Sequence, residues 1–156
     1  MADLAALNVK QCKMNHDKNR STKDFTMAGQ NLNFQSSDPT FDPTDDVISR
    51  SVQSWYDEVK NAVQSDIDKC CGSAFGKSVG HFTQIVTDRA IAVGCAIATY
   101  TDKQWKTSLM ACNYAFTNTV GTRVYVSGKA ASKCTSGVNP SYPALCSINE
   151  QIKSDP

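Results

Sequence analysis

The sequence predicts one α+β domain, and two patterns carry that prediction. From Ala90 to Tyr100, the larger side chains Ile91, Val93, Cys95 and Ile97 alternate with Ala92, Gly94, Ala96 and Ala98. This is the period of two of a strand with one bulky and one small face. A polar turn at residues 101–104 and a second strand over 105–115 complete a hairpin. Upstream, Ile48, Val52, Trp55, Val59 and Ala62 recur at spacings of three and four, the stripe of an amphipathic helix. At 156 residues the chain has the length of a single domain with a real hydrophobic core, 1–156, ending in a cysteine-containing tail over 128–156.

Taken in order, residues 3–14 read as an uncapped helix with Ala5, Val9 and Cys12 on one face and Lys10 and Lys13 on the other. Residues 16–33 lack a sustained period and read as irregular, with a turn at Gly29-Gln30-Asn31-Leu32. Within them Asn19-Arg20-Ser21 is an N-glycosylation acceptor. A linker with Asp38-Pro39 and Asp42-Pro43 leads to Thr44, read as the cap of the striped helix, with Asp45 and Asp46 in its first turn. Glu58 falls at the inward edge of that stripe, where a carboxylate needs a partner, a shifted pKa or a path to water. Residues 66–79 read as loop, and the adjacent Cys70 and Cys71 are expected each to seek a distant partner or stay free. The apolar run after His81 reads as one or two helical turns, and residues 120–126 as an edge strand.

Folding the hairpin about its turn sets Cys95 opposite Cys112, and directly opposed Cβ atoms lie about 4.5–5.5 Å apart, near the reach of a disulfide. In the chain-entropy model such a bond contributes about 3 kcal/mol. Cys134 and Cys146 bracket a loop with Pro140 and Pro143, and a local bridge between them is the economical pairing.

A net charge of +1 with interspersed signs predicts no electrostatic attraction to nucleic acid or anionic membrane. No apolar run approaches the ~20 residues of a transmembrane helix. Seven cysteines point to export rather than a reducing compartment, and no C-x-x-C or H-x3-H spacing points to a zinc cluster. Residues 1–7 do not read as a signal peptide. That feature and the odd cysteine together set the expectation of an N-terminally incomplete chain.

Several motifs in order then carry a resemblance: Gly80-His81-Phe82-Thr83-Gln84-Ile85-Val86, Val93-Gly94-Cys95-Ala96 and Cys112-Asn113-Tyr114-Ala115. The chain resembles the CAP superfamily of cysteine-rich secretory, antigen 5 and pathogenesis-related 1 proteins. Gln11-Cys12, His16-Asp17, Ala28-Gly29-Gln30-Asn31-Leu32 and the tail residues Gly128, Cys134, Gly137, Tyr142 and Cys146 resemble its insect antigen 5 branch. The resemblance implies a secreted, disulfide-bonded, monomeric α-β-α sandwich with a small antiparallel sheet between helical layers. It also implies a leader and a first long helix ahead of Met1. Thr87 and Phe116 depart from the family pattern, which usually has Trp and Pro there, and Asn19 stands where relatives carry a cysteine that could pair with Cys12.

The resemblance further implies a central cavity tetrad, here His16, Gln30, Glu58 and His81, with Gln30 in place of an acid. His16, His81 and Glu58 are the ligand set it implies for zinc, with water in a fourth position. An amide is a poor zinc ligand and no base at neutral pH, so chemistry needing a second carboxylate is lost. The expected function is therefore a non-enzymatic, extracellular binding protein for a small hydrophobic ligand (lipid, sterol or eicosanoid) or a protein partner. The alternatives are a zinc-dependent hydrolase at the His/Glu cavity and a toxin-like effector acting on a receptor. No G-x-S-x-G or phosphate-binding G-x4-G-K-[ST] motif occurs.

Overall fold

The computed structural model describes residues 1–71 and 78–152. Its centre is a three-stranded antiparallel sheet in the order β1-β3-β2, built from β1 (Gly29–Ser37), β2 (Val93–Asp102) and β3 (Trp105–Tyr114). The hairpin forms as the alternation predicts, with Cys95 paired to Cys112 in register and joined to it, Cα atoms 4.1 Å apart. Helix α1 (Ala2–Val9) covers one face, where Ala5 and Val9 pack on Leu32, Leu109 and Ala111. A Cβ on Gly94 would strike the backbone of Met1 and Ala2, so glycine there lets the start of α1 lie directly on β2. On the opposite face Trp55 of α2 (Thr44–Asp57) packs on Met110, Cys112 and Tyr114, with Ile85 of α4 (Gly80–Ile85) beside them. Helices thus flank the sheet on both sides, as the sandwich expectation requires. A third cluster, Ile67, Cys70, Phe82 and Val124, ties α3 (Gln64–Asp68) and α4 to the segment after the sheet. Among the described residues no helix is long and apolar enough to cross a membrane.

Several local expectations are corrected. The Gly29–Leu32 stretch is no turn but the start of β1, which pairs along β3 from Gly29↔Tyr114 to Ser37↔Lys106. Its burial is largely polar, through Gln30 and Asn31, so no apolar alternation marks it. Helix α1 ends at Val9, and Cys12, at φ 50°, is exposed and free rather than on the buried face. Pro43 precedes α2 as its N-cap, and Thr44 is already helical. Within α2 the buried residues are Val47, Ser51 and Trp55, while Ile48 and Val52 stay about 40% exposed. The stripe is rotated by one position because the hydroxyl of Ser51 is satisfied inside, donating to the Val47 carbonyl at 2.7 Å and accepting from Gln35 at 2.8 Å. Helix α3 occupies part of the stretch read as loop. Cys70 and Cys71 are paired with each other, Cys71 turning back at φ 67°, so neither seeks a distant partner. Residues 120–126 add no strand: Val124 makes isolated bonds, its N–H to the Ile67 carbonyl and its carbonyl to the Asp88 N–H. Thr87, buried where the family usually has Trp, donates to that same Val124 carbonyl at 3.3 Å. Cys134 and Cys146 are bridged as expected, with Val138 and Cys146 forming a small antiparallel bridge inside the tail.

Candidate functional site: a histidine cavity and an apolar groove

Two concavities meet at the stacked pair Trp55 and His81, one lined by each. The first, about 310 Å³, is lined by His16, Arg20, Gln30, Asn31, His81 and Asn118 among others. It lies at the start of edge strand β1. Gln30 shares the α1 face of that strand with Leu32, and Asn31 points to the α2 face, so the cavity draws side chains from both layers.

Glu58, the first residue after α2, is a partnered carboxylate and does not snorkel to water. One oxygen accepts from Ser78 Oγ at 2.7 Å and from His81 Nδ1 at 2.8 Å. The other accepts the backbone N–H groups of His81 at 2.7 Å and Phe82 at 3.1 Å, in the first turn of α4. Burial pushes the Glu58 carboxyl up, but the hydrogen bonds from Ser78, His81 and Phe82 and the nearby imidazole outweigh it and hold the group below its ordinary value. With Nδ1 donating to Glu58, His81 keeps its Nε2 lone pair free.

Gln30 is equally committed. Its carbonyl accepts from His16 Nδ1 at 3.0 Å and from the Asp17 N–H at 3.2 Å, and its NH₂ donates to Asp17 Oδ2 and to Asn113 Oδ1, both at 2.9 Å. A glutamate there could not donate to Asp17, and two carboxylates at that separation would repel. The amide at position 30 thus fits the Asp17 carboxylate beside it.

The tetrad residues are therefore brought together as two pairs, His16 with Gln30 and His81 with Glu58. All four acceptor positions of Glu58 are taken by hydrogen bonds, and among the described residues no three His, Cys, Asp or Glu gather as metal ligands. Two imidazole Nε2 atoms are what remains, short of the three protein ligands of a catalytic zinc site. The Ser78 hydroxyl donates to Glu58, not to an imidazole, and among the described residues no serine hydroxyl is hydrogen-bonded to a histidine.

Asp17, Asn113 and Asn118 complete this network and went unread in the sequence as site residues. Asn113 is fully buried on β3 beside Gln30, and Asn118 donates to the Gly80 carbonyl at 2.8 Å and to Thr83 Oγ1 at 2.7 Å. Their signal was position alone: Asp17 lies in the His16-Asp17 motif, Asn113 within Cys112-Asn113-Tyr114, and Asn118 shortly after it.

The second concavity is a groove of about 750 Å³ between α2 and the uncovered part of the sheet, lined by Ile48, Val52, Trp55, Ile97, Met110 and Tyr114 among others. Among the described residues no charged side chain lines it. Burial pushes the Tyr114 phenol up to about 12, with the Asn31 amide at 3.5 Å working weakly the other way, so this wall stays neutral at physiological pH. Trp55 joins the two concavities: its indole faces the groove and stacks on His81, centroids 6.2 Å apart, while its N–H donates to the Leu32 carbonyl at 3.0 Å.

One outcome of the Glu58 arrangement is testable by pH. The carboxyl is depressed in the folded chain, so the stability it contributes is present above its unfolded pKa and is lost as pH falls through the lower folded value. Denaturant titrations should show stability falling below about pH 4.5 in the wild type. In Glu58→Gln that part of the acid dependence should be absent, with stability already reduced at pH 7.

The family model described as CAP, the cysteine-rich secretory protein family, matches residues 1–114. Venom allergen-1 of Aedes aegypti is 37% identical over 163 aligned residues, covering 99% of this chain and 61% of the relative. The antigen 5 like allergen Cul n 1 of Culicoides nubeculosus is 41% identical, over 67% of this chain and 47% of its own. The chain thus spans about three fifths or less of the length of these curated relatives. Among solved structures, NaASP2 with Zn2+ superposes with a TM-score of 0.75 at 24% identity, covering 94% of this chain and 72% of that one. BmVAL-1 superposes at 0.74 with 22% identity, covering 93% and 71%. These two likenesses bear on the fold. The two-faced helical covering of a three-stranded sheet, its cross-strand cystine and the sequence matches agree, and the chain belongs to the CAP family of cysteine-rich secretory proteins, as an antigen 5-like member.

Proposed function

We propose that this chain is an exported, non-enzymatic binding protein whose apolar groove holds a small hydrophobic ligand of the lipid class, an acyl chain or a sterol. The observation that carries the reading is the groove itself. Its volume falls within the ~300–1,000 Å³ of small-molecule sites. Its walls are neutral and mostly apolar, with hydroxyls of Thr44 and Thr99 as polar contacts. Ile48 and Val52 hold apolar surface toward solvent on α2, and a ligand that covered them would gain about 25 cal/mol per Å² of apolar area removed from water. Three disulfides support export, because such bonds persist in oxidising compartments.

The histidine cavity supports the non-enzymatic part. Its carboxylate is spent on α4 and His81, and its amide on His16, Asp17 and Asn113, and among the described residues no hydroxyl or thiol is hydrogen-bonded to either imidazole as a nucleophile. Photo-cross-linking with a diazirine-bearing long-chain fatty acid tests where the ligand sits. Adducts are expected on α2 around Ile48–Trp55 and on β2 around Val93–Thr99. Adducts confined to residues near His16 and His81, or none at all, would count against the groove.

A further inference from the structure

The sequon at Asn19 is not absorbed by the groove or by the tetrad, and its place in the fold gives it a role. Asn19 is exposed in the irregular stretch between α1 and β1, and among the described residues no hydrogen bond engages its amide. Ser21, the third sequon residue, is held by its hydroxyl donating to the Thr26 carbonyl at 2.5 Å. Arg20, between them, lines the histidine cavity, as does His16, three residues before Asn19. Consecutive Cα atoms are about 3.8 Å apart, so anything attached to Asn19 begins one peptide unit from the cavity lining.

We propose that Asn19 carries an N-linked glycan and that this glycan stands at the rim of the histidine cavity. In the transfer, Asn19 Nδ2 forms a bond to the anomeric carbon of a lipid-pyrophosphate-linked oligosaccharide. The bond from that carbon to the pyrophosphate oxygen breaks, the amide nitrogen loses one proton, and the lipid pyrophosphate leaves with the bonding pair. A bulky, hydrated chain at this rim screens His16 and His81 from protein-sized and other large probes while leaving the groove, on the α2 face of the sheet, open. The step requires passage through the secretory lumen and so rests on the export proposed above. It does not depend on what the groove binds.

The test uses the chain secreted from insect cells behind a heterologous leader, so its outcome is separable from where the native protein resides. Peptide mass spectrometry after glycosidase release in heavy-oxygen water should find Asn19 converted to labelled aspartate, and Ser21→Thr should preserve the modification. Asn19→Gln should abolish it. Broadening of the His16 and His81 ring-proton signals by a bulky soluble lanthanide chelate should then be several-fold weaker in the glycosylated chain than in Asn19→Gln or the enzymatically stripped protein. Unmodified Asn19 in secreted, folded protein would overturn the site. Equal broadening with and without the sugar would overturn its place at the rim.

Discussion

Replacing Trp55 by alanine is expected to destabilise the domain by about 3–5 kcal/mol, the cost of deleting a large buried aromatic side chain. Trp55 is 2% exposed and serves three neighbours at once. It fills the space over Met110, Cys112 and Tyr114, stacks on His81, and donates its indole N–H to Leu32 of β1. Truncation leaves a cavity and an unpaired carbonyl, and for a domain of this size a loss of that magnitude lowers Tm by roughly 10 °C or more. Trp55→Phe separates the contributions, because it restores most of the packing and none of the hydrogen bond. Thermal melts of both variants, read beside ligand uptake, should show alanine losing stability and binding together, with phenylalanine intermediate in stability. A Trp55→Ala chain that melts within a degree or two of wild type would mean that this side chain does not join the layers.

The second large effect belongs to the cystine that floors the groove. Cys95 and Cys112 are directly opposed across β2 and β3, 17 residues apart in sequence, and the bond between them tethers the unfolded chain as well as the hairpin. Cys95→Ala with Cys112→Ala should lower the unfolding free energy by about 3 kcal/mol on the loop-closure account. Alanine is preferred to serine because Cys112 is 2% exposed and a hydroxyl there would be buried without an assigned partner. Denaturant unfolding should also show a larger m-value in the double variant, since an untethered unfolded chain exposes more surface. An unchanged unfolding free energy would show that the hairpin register is held by pairing and packing alone.

The hairpin was legible in the sequence for a plain reason. The first of its strands alternates bulky and small side chains, and the buried middle of the second, Leu109 to Cys112, is apolar, so the pattern exposes it. Strand β1 hides because what it buries is largely amide: Gln30 and Asn31 satisfy their polar atoms against His16, Asp17, Asn113, Tyr114 and the His81 carbonyl. A strand held by side-chain hydrogen bonds leaves no hydrophobic period to count. The α2 stripe was visible yet misassigned by one position, since Ser51 is buried through its hydroxyl while Ile48 and Val52 turn to the groove.

At the site, the inward placement of Glu58 could be read from spacing, and its identity as a cavity residue came from resemblance. What it does there could not be read, because its partners lie 20 to 24 residues away. The substitution Gln30 likewise reads as a lost charge in one dimension. In three it reads as a donor placed against Asp17. The groove left no trace in the sequence, since α2, β2 and β3 each contribute only a few of its residues.

Binding in the groove is the claim on which the functional account stands, and an affinity titration compares it most directly with its rival site. A fluorescent polyene fatty acid is titrated into wild type, Val52→Glu and His16→Ala under identical conditions. The account predicts saturable uptake by wild type and His16→Ala, with at least about a tenfold weaker Kd in Val52→Glu, where a charge must be buried beside the acyl chain. Binding undiminished in Val52→Glu but lost in His16→Ala would contradict it.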